Sequence, residues 1–137
     1  LFLFKTMSFL EKDLQSAFTK YLRITGQMKF SFVYELKITK TAHFAWRRVL
    51  QHQWRNLYNA KHDCVHHKIS DMSLGYKPFD GFNICRIAAY LGICFYEKRK
   101  IKKLYFIDID KANKHSDTHV SISEKEAQNL ADYTVVL

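Results

Sequence analysis

The sequence predicts an α/β domain in which helices and strands alternate along one chain. Three patterns lead to this prediction. Apolar residues recur at helical spacing over residues 8–22, aromatic and β-branched residues alternate with polar ones over 30–40, and residues 88–96 are apolar almost throughout. The first pattern is typical of an amphipathic helix and the second of a half-buried strand. The third indicates a strand that is covered on both faces.

Length and composition favour one folded domain. The chain has 137 residues, of which 47% are hydrophobic and 15% aromatic, and this excludes a disordered or fibrous protein. No apolar run is long enough to span a membrane. We interpret Met7 as a natural start, so we expect an N-terminal extension over residues 1–7 and a single domain over 8–137.

The charge balance and the cysteines bear on partner and compartment. Lysine and arginine total 22 against 13 acidic residues, a net charge of +9, which favours a polyanion such as nucleic acid or an anionic membrane surface. Cys64, Cys85 and Cys94 cannot pair completely, and we interpret them as reduced thiols. This indicates an intracellular, cytoplasmic protein.

The first predicted helix runs from Ser8 to about Leu22. Its apolar stripe comprises Leu10, Leu14, Ala17, Phe18 and Tyr21. Glu11 has two compatible interpretations. It completes a capping box with Ser8, or it leans into a metal site below the helix.

The strand over residues 30–40 carries the most informative pair of charges. Phe30, Phe32, Tyr34, Leu36 and Ile38 share one face in the alternation, whereas Glu35 and Lys37 project from the other. Their Cα atoms are about 6–7 Å apart in an extended chain. A carboxylate that holds Mg²⁺ and an ammonium that orients water or neutralises charge can act together on one phosphate at this spacing. An ordinary solvent-exposed pair is the alternative.

A second helix is predicted from about Ala45 to Ala60. Its expected buried face comprises Trp46, Val49, Leu50, Trp54, Leu57 and Tyr58. Gln53 lies along this stripe. Such a glutamine is usually an exposed neighbour of the core, but if it points inward it needs a partner, for example a catalytic carboxylate or a bound water.

Histidines and an aspartate follow this helix. A zinc site is one interpretation of His62, Cys64, His66 and His67, but their spacing matches no common structural site and a second ligand pair is missing. We favour assigning them to a turn and the start of a strand. Short strands are predicted over 67–71 and 79–84. Asp80 in the second lies between bulky aromatics, where an acid is either part of an Asp-Gly turn or paired with a cation.

The last third of the chain is predicted to contain a hairpin, a loop and a helix. Residues 97–100 form a basic turn between the strand at 88–96 and its partner at 101–109, and residues 110–119 are expected to be loop. Ser123 and Glu126 form a second capping box at the start of a short helix. Lysine and arginine side chains in turns and helices are expected to contact phosphates: Lys40, Arg47, Arg48, Lys68, Lys77, Lys98, Arg99 and Lys100.

The order of these elements resembles the PD-(D/E)xK nuclease superfamily, in particular the RecU-like and phage-type Holliday-junction resolvases. The resemblance extends from about residue 8 to residue 110. Its pieces are Tyr34-Glu35-Leu36-Lys37, His52-Gln53 in the next helix, Lys68-Ile69-Ser70-Asp71, Lys77-Pro78-Phe79-Asp80-Gly81-Phe82, Gly92-Ile93-Cys94-Phe95 and Leu104-Tyr105-Phe106-Ile107.

The resemblance implies a mixed central β-sheet flanked by helices, with a restriction-endonuclease-like core. It also implies hydrolysis of DNA phosphodiesters with Mg²⁺ or Mn²⁺, four-way junctions as substrate and a homodimer in a bacterial or phage-infected cell. Glu35 would be a metal ligand and Lys37 the water-orienting or charge-stabilising group. Gln53 would support the site, and Glu11 would match the helical glutamate of resolvase relatives.

One feature departs from the superfamily pattern. A metal-binding aspartate normally precedes the E-x-K strand, but residues 23–34 contain no acid. Asp80 is the candidate replacement, with Asp71 behind it; a rival register combines Asp80 with Glu97 and Lys98 or Arg99. The missing aspartate also leaves two other functions open. These are a non-catalytic DNA-binding module on a degenerate nuclease fold and a repair- or restriction-type nuclease with another DNA substrate.

Overall fold

The computed structural model describes residues 12–21, 32–68 and 81–137. Residues 12–21 are helical (α1). The main sheet of the described residues has four strands in the order β1-β5-β6-β8. Their bounds are Phe32–Thr39 (β1), Ala88–Phe95 (β5), Lys103–Asp108 (β6) and Tyr133–Val136 (β8). β1 is parallel to β5 and the other neighbours are antiparallel, so the predicted mixture of helices with a mixed sheet is confirmed.

The connection from β1 to β5 crosses one face of the sheet. It contains β2 (His43–Ala45), a 3₁₀ turn (Trp46–Arg48) and α2 (Gln51–His62). A hairpin of β3 (Cys64–Lys68) and β4 (Gly81–Cys85) completes it. Parallel neighbouring strands need such a crossover, because the chain must return to the end of the sheet at which the first strand began before it can run in the same direction again.

The segment after β6 is helical, so the loop predicted over residues 110–119 is wrong. α3 (Ile109–Thr118) begins where the Asp108 side chain accepts a hydrogen bond from the backbone N–H of Asp110. The buried residues of this helix are Ile109 and Ala112, so its mostly polar sequence did not indicate a helix. β7 (Ser121–Ser123) then pairs with β2, and α4 (Glu124–Leu130) follows with the predicted Ser123–Glu126 capping box.

The sheet separates two apolar clusters. On one face α1 contributes Leu14 and Phe18, which pack with the predicted apolar face of β1; Ala17, predicted in the same stripe, is exposed. The opposite face is covered by the crossover and by α3 and α4. Its fully buried members are Phe44, Leu91, Ile93, Tyr105, Ile107, Ala112, Ile122 and Ala127.

The second helix starts later than predicted, and its buried face differs. Residues 43–45 pair with β7 as a strand, so the helix begins only at Gln51. Trp46 and Val49 are buried as expected, but in the segment before the helix. Leu50 and Tyr58 were predicted to be buried, yet they are 53% and 46% exposed. Cross-strand pairing of β2 has overridden the helical periodicity of this segment.

Two cysteines form a disulfide, so the interpretation of them as reduced thiols is wrong. Cys64 and Cys85 face each other across the β3–β4 hairpin, with Cα atoms 4.1 Å apart. Cys94 is a free, buried thiol, and burial raises its pKa to about 11. In the described part of the chain, no helix is long and apolar enough to cross a membrane.

A polar network joins the end of α2 to the start of α3. Lys61 Nζ donates to both carboxylate oxygens of Asp108 at 2.8 Å and to Asp110 at 2.5 Å, and His62 contacts Asp110 at 2.8 Å. Burial opposes ionisation of Asp110, but the hydrogen bonds from Lys61 and His62 outweigh it and lower its pKa. The network therefore holds the two helices together through charged groups.

Replacing Lys61 by methionine is expected to lower the free energy of unfolding by about 1–2 kcal/mol, because two partly exposed carboxylates lose a charged donor. The pKa of Asp110 is lowered on folding. The stabilisation of the folded state by the ionised Asp110 carboxylate is therefore complete above about pH 4 and is lost as the pH falls below that value. Urea unfolding at pH 7 and pH 3 measures both effects. Lys114→Met, at an exposed position of α3, provides the surface control. A loss of stability in the Lys61 variant that is equal at the two pH values would contradict the assignment.

Candidate functional site

Glu35 and Lys37 lie on the face of β1 that the crossover covers. In the parallel register Glu35 is beside Leu91 and Lys37 beside Ile93, both fully buried beneath the helices on that face. The side chain of Lys37 is 12% exposed and that of Glu35 is 31% exposed. The pair is therefore partly buried, unlike an ordinary solvated pair on a strand.

Two side chains converge on one carboxylate oxygen of Glu35. Lys37 Nζ lies 3.0 Å from Glu35 Oε1, and Gln53 Nε2 donates to the same oxygen at 2.7 Å. Gln53 reaches it from the first turn of α2, so the helix that follows the strand supplies the third member. The structure brings together Glu35, Lys37 and Gln53, which are 18 residues apart at most.

The backbone orients the amide of Gln53. Its Oε1 accepts a hydrogen bond from the backbone N–H of Leu50 at 3.0 Å. Because the oxygen is directed to this donor, the amide nitrogen must face Glu35. Gln53 is therefore an inward-pointing glutamine whose partner is a carboxylate. It occupies the third position of α2, where a side chain can accept a hydrogen bond from the backbone N–H of the residue before the helix.

The two polar contacts of the Glu35 carboxylate both involve Oε1: one is the hydrogen bond from Gln53 and the other the ion pair with Lys37. Among residues 12–21, 32–68 and 81–137, no donor contacts Oε2. A carboxylate oxygen is a ligand that Mg²⁺ and Mn²⁺ accept, so the donor type fits the expected cation. A cation there would be held by Glu35, with Lys37 and Gln53 restraining the carboxylate.

Several predicted site residues lie outside the described residues. These are Glu11, Asp71, Lys77 and Asp80, so the identity of a second metal ligand stays a prediction. Lys68 is the last residue of β3. Glu97, a member of the rival register, lies in an exposed turn and pairs with Lys100 at 2.7 Å.

Predicted phosphate-binding residues gather at one end of the main sheet. Lys40 directly follows β1, and the turn containing Lys98, Arg99 and Lys100 follows β5; all four are exposed. β1 and β5 are parallel, so their carboxyl ends meet, and the backbone N–H of Tyr96 donates to the carbonyl of Thr39 at 2.7 Å. The topology thus joins two basic segments that are separated in sequence.

The two arginines before α2 differ in their surroundings. Arg47 is exposed. Arg48 is half-buried: its Nη2 donates to the carbonyl of Ile38 at 2.7 Å, and its guanidinium lies 5.1 Å from the centre of the Phe44 ring. At least one donor of Arg48 is thus committed to the fold, which makes Arg47 the better candidate for a phosphate contact.

Three members of the cluster around Cys64 have partners within the protein. Cys64 is in the disulfide, His62 contacts Asp110, and His66 contacts Asn83 at 2.9 Å. A different group, in the segment predicted to be loop and in the capping box of α4, has its ligand atoms within 4.8 Å of one another: His115, His119 and Glu126. The His-x₃-His spacing at 115–119 was the signal that could have identified it.

Comparison of the chain with protein-family models, with curated proteins and with solved structures finds no match to any of them. The functional interpretation therefore rests on the side chains around Glu35 and on the basic end of the sheet. Both features lie in the crossover unit of β1, α2 and β5.

Proposed function

We propose that the chain is a metal-dependent endodeoxyribonuclease of the PD-(D/E)xK type, with four-way DNA junctions as substrate. The observation that carries the proposal is the hydrogen bond from Gln53 to Glu35 beside the Glu35–Lys37 pair. It links an E-x-K strand to a glutamine in the following helix, and the chain then returns as a parallel neighbouring strand. The first two of these features are among those on which the sequence resemblance depends.

The reaction would be hydrolysis without a covalent enzyme intermediate. Water adds to phosphorus, the bond from phosphorus to one bridging oxygen breaks, and the leaving oxygen takes a proton. Glu35 Oε2, joined by an acid such as Asp80 or Glu11, would hold Mg²⁺ or Mn²⁺, which neutralises charge on the phosphate. Lys37 would orient the water or stabilise the developing negative charge, and Gln53 would keep Glu35 in place.

Charge supports DNA as the partner. The net charge is +9, and Lys40, Lys98, Arg99 and Lys100 lie at the carboxyl ends of β1 and β5, towards which Lys37 also lies in β1. Such groups contact the phosphate backbone independently of base sequence, as recognition of a branched structure requires. Two symmetric cuts in a junction would need a two-fold homodimer, which we include in the proposal.

The test is cleavage of labelled four-way junction, duplex and single-stranded DNA with Mg²⁺, Mn²⁺ or EDTA. Paired, metal-dependent nicks in the junction are the expected result. Cutting of plain duplex alone would keep the nuclease and reject the junction as substrate.

A DNA-binding module on a degenerate nuclease fold is the second candidate. One observation favours it: in the described part of the chain, the group of three His, Cys, Asp or Glu side chains that lie close enough together to hold a metal does not include Glu35. Binding of all three DNAs without cutting under any metal would establish this alternative and overturn the first.

Replacing Gln53 by alanine is expected to slow cleavage about tenfold, because Glu35 loses the donor that holds its carboxylate. A positioning role predicts more than a lower rate: the Mg²⁺ concentration needed for half-maximal cleavage should rise, since the loosened carboxylate is a poorer ligand. Gln51→Ala, a change of the same type at an exposed position two residues earlier, is the control. An unchanged metal requirement in Gln53→Ala would argue against this role.

A further inference from the structure

We propose that His115, His119 and Glu126 bind one zinc ion, at a site separate from Glu35. The three side chains come from the last turn of α3, the residue that ends this helix and the first turn of α4. Their candidate ligand atoms lie within 4.8 Å of one another. Two imidazole nitrogens and one carboxylate oxygen suit Zn²⁺, whereas Mg²⁺ prefers oxygen ligands only.

Glu126 is already oriented for such a site. Its Oε2 accepts hydrogen bonds from the backbone N–H and the hydroxyl of Ser123, both at 2.8 Å. Its Oε1 is left to face His115 Nε2 at 3.8 Å. The capping box of α4 therefore fixes the carboxylate with one oxygen directed towards the imidazole.

His119 supplies an adaptable ligand. Its Nδ1 lies 2.8 Å from the hydroxyl of Thr118, which can accept the proton of Nδ1 and so leave Nε2 with a free lone pair. The rings of His115 and His119 are stacked, with centres 4.2 Å apart and an angle of 16° between their planes. A metal lies close to the plane of each imidazole that binds it, so His119 must rotate out of the stack; its exposed position allows this.

Trp46 sets the proton position on His115. The indole N–H donates to His115 Nδ1 at 3.1 Å, so a neutral His115 carries its proton on Nε2, the nitrogen that faces Glu126. Zinc binding at Nε2 must move this proton to Nδ1, and the hydrogen bond from Trp46 is then lost. Binding at this site is therefore coupled to the indole of Trp46, which lies in the buried cluster beneath α2.

The experiment is titration of the full, disulfide-bonded chain with zinc chloride in the presence of excess Mg²⁺, followed by calorimetry and by tryptophan fluorescence. We expect one zinc ion per chain and a change in fluorescence. His119→Ala should weaken binding by about 100-fold, whereas His52→Ala, an exposed histidine in α2, should leave it unchanged. Equal zinc affinity in wild type and His119→Ala would overturn the proposal.

A second variant tests the coupling with the opposite sign. Trp46→Phe removes the indole N–H, which disfavours the tautomer of His115 that carries its proton on Nδ1 and binds zinc through Nε2. The zinc affinity of this variant should therefore be several-fold higher than that of wild type. Weaker binding by a folded Trp46→Phe chain would contradict the coupling. Glu35→Gln should bind zinc as wild type does, which separates this site from the proposed nuclease site.

Discussion

Replacing Glu35 by glutamine is expected to reduce DNA cleavage about 10³-fold or more, with the fold intact. The amide oxygen of glutamine can still accept the hydrogen bond that Gln53 makes to Glu35 Oε1, and it can lie beside the Lys37 ammonium. The change therefore removes the negative charge that would hold the cation and keeps most of the local packing. Single-turnover cleavage of the junction at saturating Mg²⁺ measures the loss.

Glu97→Gln is the matched control for this prediction. Glu97 lies in an exposed turn. Within the described part of the chain, its side chain pairs with Lys100. We expect its cleavage rate to stay within about twofold of wild type, since surface pairs of this kind contribute little. Full activity in Glu35→Gln, with normal thermal unfolding, would place the catalytic metal elsewhere and reject the site.

The largest expected effect on stability comes from replacing Phe44 by alanine. Phe44 is fully buried in β2, where its ring lies 6.0 Å from that of Trp46 and 5.1 Å from the guanidinium of Arg48. Truncation removes apolar contacts and leaves a cavity between the crossover and the sheet. A loss of about 3–5 kcal/mol in the free energy of unfolding is expected, a large part of the stability of a domain of this size.

Urea unfolding followed by circular dichroism measures this loss. Phe82→Ala is the same substitution at a residue that is 48% exposed in β4, and it should cost less than about 1 kcal/mol. Equal losses in the two variants would show that β2 and its neighbours do not form part of the cooperative core.

Local patterns predicted much of the sheet and its faces. The alternation in residues 30–40 assigned Glu35 and Lys37 to the face opposite Phe32, Tyr34, Leu36 and Ile38, and the structure confirms this division. The apolar run of β5 and the capping box of Ser123 and Glu126 were also predicted correctly. Such features depend on neighbours within a few residues, which a sequence displays directly.

Other features depend on partners that are distant in sequence. α3 has a polar sequence, and the Asp108 carboxylate at its start accepts a hydrogen bond from Lys61, 47 residues earlier. The later start of the second helix follows from the pairing of residues 43–45 in β2 with β7. The disulfide depends on the register that places Cys64 opposite Cys85.

For the candidate sites, local sequence patterns predict the residue types and the face from which they project. Glu35, Lys37 and an amphipathic helix with Gln53 can be identified without a structure. The contact of Gln53 with Glu35 and the proximity of His115, His119 and Glu126 became visible in the folded chain. The reason is physical: a side-chain direction follows from local backbone geometry, whereas a contact between elements follows from how buried surfaces pack.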